Sequence, residues 1–234
     1  MPASTSPDRR AAVPVITVDG PSGVGKGLVT RWLSERLGFH RLDSGALYRI
    51  LALAAGRRGV SLEDGAAVAA LARDLDIRFL GDSEHDEIIE VDGENWALEV
   101  RAESTGALAS RIAMIPEVRE ALLQRQKDFR QPPGLIADGR DMGTIVFPDA
   151  QLKIFMDASP LERAQRRHKQ LVDKGIPAIL DDLCEEIRAR DARDRSRPIA
   201  PLKPADGAEV VDTTGLSPSQ VVARVEQLLQ RSGL

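Results

Sequence analysis

The chain has 234 residues, enough for one large domain or a core with inserts. Apolar residues make up 42% and charged residues 29% of it, as in ordinary soluble globular proteins. The formal net charge of −4 argues against a nucleic-acid polymer as partner, because such a partner favours a basic face. Cys184 is the only cysteine, which excludes a disulfide framework and a cysteine metal site.

Targeting signals are not evident in the sequence. No apolar run approaches the length of a membrane span, and Met1 to Arg10 lacks the apolar centre of a signal peptide. We therefore expect a cytoplasmic protein without membrane contact, in which residues 1–12 form a flexible polar tail.

A glycine-rich segment follows the first apolar run. Residues 13–19 predict a buried strand and residues 26–37 a helix. Between them and into the helix lie Gly20, Pro21, Ser22, Gly23, Val24, Gly25, Lys26, Gly27 and Leu28. A tight turn with an exposed lysine is one interpretation. The strand before and the helix after favour a P-loop, in which backbone N–H groups surround phosphate oxygens and Lys26 reaches the terminal phosphates.

Further elements follow in chain order. We predict a strand over residues 39–42, a helix from 46 to about 56, and a helix to about 74 with Ser61 as its N-cap. Strand-like runs at 76–80, 87–91 and 94–98, separated by Gly81-Asp82 and Asp92-Gly93, predict a small antiparallel insert. Helices are predicted over residues 100–112 and 116–130.

The alternation of strands and helices then resumes. Compact apolar runs at 135–138 and 152–157 each end in aspartate, as buried parallel strands can. Helices are predicted at about 160–174 and 179–195, a strand at 209–212, and a helix at 218–230 capped by Ser217. The expected fold is an α/β doubly wound parallel sheet of about five strands. Ligands of such sheets bind at the carboxyl ends of the strands.

The second strand end presents a hydroxyl and a guanidinium. Ser44 can cap the next helix, and Arg49 lies one to two turns along it. A second anion fits between the hydroxyl, the helix amides and the guanidinium. A capped helix with a solvated arginine explains the same residues equally well, so both interpretations stay open.

The third strand end combines acids with arginine in the sequence Asp138-Gly139-Arg140-Asp141. Asp138 sits where P-loop proteins keep an acid that orients magnesium through water. Arg140 and Asp141 are then expected to point into the cleft. A turn with a local ion pair is the alternative.

Charged residues on a late helix share one face. Arg190, Arg193, Asp194 and Arg197 stand at i, i+3, i+4 and i+7. A solvated face or a polymer-binding patch is the ordinary interpretation, but interleaved acids weaken the field that a polymer needs. Several guanidiniums around one carboxylate suit a compact anion that carries hydroxyls. The preceding helix adds a second cationic cluster, Arg163, Arg166 and Arg167.

Two anion sites facing one P-loop indicate phosphoryl transfer between bound phosphates. This reaction needs in-line positioning, magnesium, and cations at the developing charge, and arginine binds phosphate oxygens bidentately. Two alternatives remain. One is a P-loop kinase for another small acceptor, and the other is a regulatory protein that binds ATP without phosphorylating a small molecule. The absence of an N-K-x-D string disfavours a GTPase switch.

These motifs together resemble the bacterial cytidylate kinase family, from Pro14 to about Gln230. The resemblance rests on residues 15–23, 42–49, 134–144 and 190–195, which occur in the same order. It implies ATP as donor, CMP or dCMP as acceptor, and magnesium. It also implies a single domain over residues 13–234, predicted to be monomeric. Its core would be 13–64, 132–162 and 198–234, with a nucleotide-binding insert at about 65–131 and a lid with its adjoining helix at about 163–197.

The resemblance also implies roles for individual residues. The loop from Gly20 to Leu28 would hold the ATP phosphates. The catalytic cations would be Lys26, Arg140, Arg190 and Arg197. The residues that bind the acceptor would be Ser44, Arg49 and Arg140 at its phosphate, Ser110, Arg119 and Asp141 at cytosine, Arg190 and Asp194 near the sugar, and Arg197 beside them.

The base assignment is chemically sensible, because cytosine offers an amino donor to a carboxylate and a ring-nitrogen acceptor to a guanidinium. Uracil reverses both groups, which leaves buried polar groups unpaired. One departure concerns magnesium. Gly27 and Leu28 follow the P-loop lysine where a hydroxyl is common, and Thr30 is nearly a full turn further. We therefore predict no direct protein ligand, with Asp138 as a candidate for contact through water.

Overall fold

A computed structural model describes residues 13–80, 88–173 and 175–234. The predicted tail over residues 1–12 and the predicted Gly81-Asp82 turn lie outside these ranges. In chain order the elements are β1 (Val15–Asp19), α1 (Lys26–Leu37), β2 (His40–Asp43), α2 (Ser44–Arg57), α3 (Gly65–Asp74), β3 (Ile77–Leu80), β4 (Ile88–Val91), β5 (Glu94–Asn95), α4 (Ala97–Arg101), α5 (Glu103–Ile112), α6 (Pro116–Asp128), β6 (Leu135–Gly139), a π-helical turn (Met142–Val146), β7 (Leu152–Asp157), α7 (Pro160–Asp173), α8 (Leu180–Arg195), β8 (Glu209–Asp212) and α9 (Pro218–Ser232).

The central sheet confirms the predicted fold class. Five parallel strands stand in the order β2-β6-β1-β7-β8, with helices on both faces. Successive residues of β1 serve opposite faces: Val15 packs in the cluster with α2 and α3, and Ile16 in the cluster with α1 and α9. Both faces are covered, so the strand sequences are apolar throughout. The loops at the carboxyl ends of these strands consequently share one edge.

The insert is an antiparallel sheet of three strands, β3-β4-β5, as predicted, but it ends earlier than expected. The predicted strand over 94–98 stops at Asn95, whose side-chain oxygen accepts the Ala97 N–H and starts α4. The predicted helix over 100–112 is interrupted at Ala102, which has an extended backbone. Arg49 donates to the carbonyls of Val100 and Ala102, at 2.8 and 3.1 Å, and so supports this break.

Helix starts depend on aspartates more than the sequence suggested. Asp64, not Ser61, caps α3 by accepting the Ala67 N–H at 3.0 Å. Ser217 caps α9 as predicted, in a reciprocal capping box with Gln220. Within the described ranges, we find no helix with both the length and the apolar character needed to cross a membrane.

Candidate active site

The loop after β1 has the backbone shape of a phosphate cradle. Gly20 has φ 148°, and a Cβ there would lie 2.1 Å from the carbonyl oxygen of Met156 on β7, so only glycine fits. Gly25 has φ 95° and forms the N-cap of α1. Lys26 Nζ donates to the carbonyls of Gly20 and Pro21, at 3.0 and 2.9 Å. The lysine therefore folds over its own loop, contrary to an exposed surface lysine.

The buried Lys26 pairs with the partly buried Asp138 at the loop, with 3.8 Å between Nζ and Oδ1. Burial, with the nearby Arg140 cation, lowers the pKa of Lys26 to about 8, against the opposing effect of the carboxylates. Burial raises the pKa of Asp138 to about 6, partly offset by Lys26. The loop thus holds the Lys26 ammonium group where little solvent surrounds it, so the group attracts an anion strongly.

The end of β2 differs from the prediction in one respect. Asp43, not Ser44, caps α2 by accepting the Ala46 N–H at 2.9 Å, and Ser44 is the buried first residue of the helix. Arg101 Nη1 lies 2.9 Å from the second oxygen of Asp43. Although burial acts to raise it, Arg101 and the Ala46 N–H keep the pKa of Asp43 below its usual value. Arg49 faces α5 near Gly106, so it is not a solvated arginine.

The segment after β6 places two charged side chains toward α6 and α8. Asp141 forms an ion pair with Arg119, which also donates to the Ala113 carbonyl at 3.3 Å. Arg140 Nε lies 3.2 Å from Asp194 Oδ2 on α8. Arg140 and Asp141 are therefore each paired with a residue of another element, not with each other as in a local ion pair. This pairing joins β6, α6 and α8 around one space.

The charged face of α8 is partly as predicted. Asp194 is almost fully buried between Arg140 and Arg197, which binds its other oxygen. Helix α8 ends at Arg195, so Arg197 follows it instead of belonging to its last turn. Arg193 is exposed and does not line the cleft, contrary to the predicted shared face. The cleft therefore receives fewer cations from α8 than the spacing indicated.

One cleft brings together all nine residues that were predicted to bind the acceptor. Its predicted residues are Ser44, Arg49, Ser110, Arg119, Arg140, Asp141, Arg190, Asp194 and Arg197. They come from α2, α5, α6, the segment after β6, and α8 with the residues after it. Sequence reasoning missed Tyr48 in the same cleft, where burial raises the pKa of its phenol to about 12. Its place one residue before Arg49 was the available signal.

The second cationic cluster is mostly structural, which corrects the prediction. Arg163 is fully buried and pairs through both nitrogens with Asp191 on α8, while also donating to the Ser22 carbonyl of the P-loop at 3.1 Å. Arg166 donates to the Thr213 carbonyl at 2.6 Å and to Glu162 at 3.0 Å. Two of the three arginines thus tie α7 to the core.

Asp19 is a further residue that sequence reasoning missed. It ends β1 and accepts the N–H groups of Met142 and Gly143 in the π-helical turn. Burial raises the pKa of Asp19 to about 7, against the lowering effect of these two donors. Its position at a strand end, like Asp43 and Asp138, was the signal that could have drawn attention to it.

Two carboxylates beside the P-loop lysine are the groups that could hold magnesium. Among the residues that the structure describes, no three acidic, histidine or cysteine side chains are grouped to hold a metal. Thr30 is buried and its hydroxyl lies 3.4 Å from the Gly27 carbonyl oxygen, so it stays with its helix. Asp138 and Asp43 are register partners at the strand ends beside Lys26. One or two carboxylates with substrate phosphates is the set that Mg²⁺ usually uses.

A parallel sheet whose first strand leads through this glycine loop into a helix with a buried lysine defines the class of P-loop nucleotide-binding proteins. A model of the cytidylate kinase family matches residues 16–231. The cytidylate kinase of Aeromonas salmonicida (strain A449) is 56% identical over 212 residues, covering 91% of this chain and 92% of that protein. That of Vibrio vulnificus (strain CMCP6) is 54% identical over 217 residues, covering 93% and 96%. The chain therefore belongs to the cytidylate kinase family.

Proposed function

We propose that this protein is an ATP-dependent nucleoside monophosphate kinase that phosphorylates CMP, and also dCMP, to the diphosphate with release of ADP. The observation that carries the proposal is that the nine acceptor-binding candidates, from five parts of the chain, converge in one cleft, whose Arg140 lies near Lys26 of the P-loop. Membership of the cytidylate kinase family supports CMP as the acceptor. A protein that only bound ATP would not need this second, highly charged cleft.

The proposed reaction places two phosphates between the loop and the cleft. An oxygen of the CMP phosphate attacks the γ-phosphorus of ATP, and the bond from that phosphorus to the β,γ-bridging oxygen breaks, leaving the electron pair on ADP. Lys26 with the loop amides binds the ATP phosphates. Ser44, Arg49 and Arg140 bind the acceptor phosphate. The cations Lys26, Arg140, Arg190 and Arg197 stabilise the charge on the transferred group.

Cytosine is proposed to bind where Arg119 and Asp141 meet. In the paired geometry, the Asp141 carboxylate keeps lone pairs that can accept a hydrogen bond from the exocyclic amine of cytosine. The Arg119 guanidinium keeps N–H groups that can donate to the ring nitrogen. Ser110 lies beside them in the cleft, with its hydroxyl donating to the Gly106 carbonyl at 3.0 Å. Arg190 and Asp194 are proposed to contact the sugar.

Magnesium supplies Lewis-acid neutralisation of the phosphates when bound. Asp138 is the residue proposed to orient it through water. The insert is proposed to cover residues 65–131. The proposed lid begins after Arg166, because Arg163 and Arg166 are held by the core, and ends before α8 returns to the cleft. A cytoplasmic location and a monomeric state stay predictions.

An acceptor profile tests the proposal. ADP release from ATP is measured with CMP, dCMP, UMP, AMP and a sugar acid as separate acceptors, with and without EDTA. We expect turnover with CMP to exceed turnover with UMP and AMP, and EDTA to abolish it. Equal or greater turnover with UMP, AMP or the sugar acid would contradict the cytosine assignment. ATP binding without CMP-dependent ADP release would favour the regulatory alternative.

A further inference from the structure

The last residue of β1 holds a turn that lies far away in the sequence. Asp19 is 4% exposed, and its carboxylate accepts the Met142 N–H at 2.9 Å and the Gly143 N–H at 2.8 Å, one on each oxygen. The next residue, Gly20, opens the phosphate loop. Asp19 therefore binds the π-helical turn, while the residue that follows it begins the P-loop.

This contact replaces a cap that the turn lacks. Asp141 occupies the N-cap position of the π-helical turn, where an aspartate ordinarily bonds the first free N–H groups with its own side chain. Asp141 makes no such bond, and its carboxylate is paired with Arg119 in the cleft. Instead, the Asp19 carboxylate at the end of β1 accepts hydrogen bonds from the first two N–H groups of the turn. As a result, Asp141 keeps its carboxylate for the cleft without leaving buried N–H groups unpaired.

The surrounding packing leaves little freedom for another arrangement. A Cβ at Gly143 would lie 2.9 Å from Thr17 Oγ1 and 3.4 Å from Asp19 Oδ2, so the turn sits directly against β1. Strand β1 is paired on both sides, with β6 and β7. The position of Asp19 is thus set by the centre of the sheet, and the turn follows it.

We propose that Asp19 is a positioning residue that holds the Asp141 carboxylate in the acceptor cleft and in register with the phosphate loop. Asp19 is not among the residues that line the acceptor cleft. It acts through the turn, and it links the specificity of the cleft to the strand that carries the P-loop. The inference rests on the proposed function for the identity of the acceptor.

The test compares Asp19→Asn and Asp19→Ala with the wild type in steady-state assays with CMP and UMP. Asparagine keeps the shape but turns an N–H donor toward one of the two amides, and alanine removes both acceptors. We expect KM for CMP to rise about tenfold or more, CMP-over-UMP discrimination to fall about tenfold, and KM for ATP to change less than about threefold. The matched control is Asp212→Asn. Asp212 also lies at the end of a strand, and its carboxylate accepts the N–H of Thr214 in the following turn at 2.9 Å. We expect this variant to have unchanged kinetic constants.

A second variant reaches the same contact from the other side. Gly143→Ala pushes the turn away from Thr17, and we expect the same selective loss for CMP. Lower thermal stability with unchanged kinetic constants in the Asp19 and Gly143 variants would mean a purely structural contact and overturn the proposal. So would equal rises in KM for ATP and CMP, or failure of the Asp19 variants to fold combined with unchanged CMP selectivity in Gly143→Ala. Failure of the proposed function would appear separately, as a wild type without CMP-dependent ADP release.

Discussion

The buried ion pair between Arg163 and Asp191 allows a quantitative test of how α7 is held against α8 and the P-loop. Its side chains are 0% and 4% exposed, and Arg163 also donates to the carbonyls of Ala158 and Ser22, at 3.0 and 3.1 Å. The substitution Arg163→Met keeps much of the side-chain volume but leaves Asp191 as a buried charge that has lost its main partner. Arg195 remains 3.8 Å from Asp191 and can compensate only in part.

The expected cost follows from the burial. Removing one partner of a buried ion pair destabilises a protein by about 3–5 kcal/mol. Each kcal/mol lowers the melting temperature of a chain of about this size by roughly 2–4 °C. We therefore expect Arg163→Met to lower the melting temperature by about 6–20 °C. Thermal unfolding followed by circular dichroism, with urea unfolding for the free energy, measures both quantities.

The control and the double variant sharpen this test. Arg193→Met changes an exposed arginine of α8 whose side-chain bond, to Ala189, is long at 3.4 Å, and we expect less than about 0.5 kcal/mol. In the double variant with Asp191→Leu, the combined loss should be smaller than the sum of the single losses, since neither charge remains buried alone. A melting temperature for Arg163→Met that matches that of Arg193→Met would refute the anchoring role of Arg163.

Three further expectations concern the phosphate loop and the base. The pKa of Lys26 is about 8 in the folded protein and ordinarily 10.5, so kcat/KM for ATP should fall as pH rises through about 8. Between these two values the unfolded chain holds the proton that the folded protein has lost, so the contribution of Lys26 to the free energy of unfolding should rise with pH. A kcat/KM for ATP that stays constant up to about pH 9.5 would contradict the kinetic expectation. Asp141→Ala should lower kcat/KM for CMP about 10³-fold with KM for ATP nearly unchanged, and equal losses would argue against base reading. Gly20→Ala should abolish ATP binding in calorimetry, because its Cβ would collide with the Met156 carbonyl, whereas Gly27→Ala meets no atom within 4 Å and should retain it.

Sequence reasoning recovered the parts of the site that depend on local order. The β-loop-α pattern around Gly20 to Lys26 and the strand-end motifs at Asp43 and Asp138 are contiguous, so composition and spacing were sufficient to identify them. Parallel strands then bring those ends to one edge of the sheet. Helix boundaries near Ser61 and Ala102 were less accurate, because the cap and the break depend on Asp64 and Arg49.

The roles of individual charges were decided by contacts between distant elements. Arg163, Arg166 and Arg193 look alike in sequence, yet the first two are bound to the core and the third is exposed. Helical spacing defines a face but does not say what lies opposite it, and burial is what fixes the partner of a charge.

By itself, the sequence determined the fold class, the family and the set of residues at the strand ends, since these follow from local propensity, hydrophobic pattern and motif order. The tertiary structure alone decided that Asp19 caps the turn behind Asp141 and that Arg163 anchors α7. Both roles arise from hydrogen bonds between residues 123 and 28 positions apart, which no local pattern can encode.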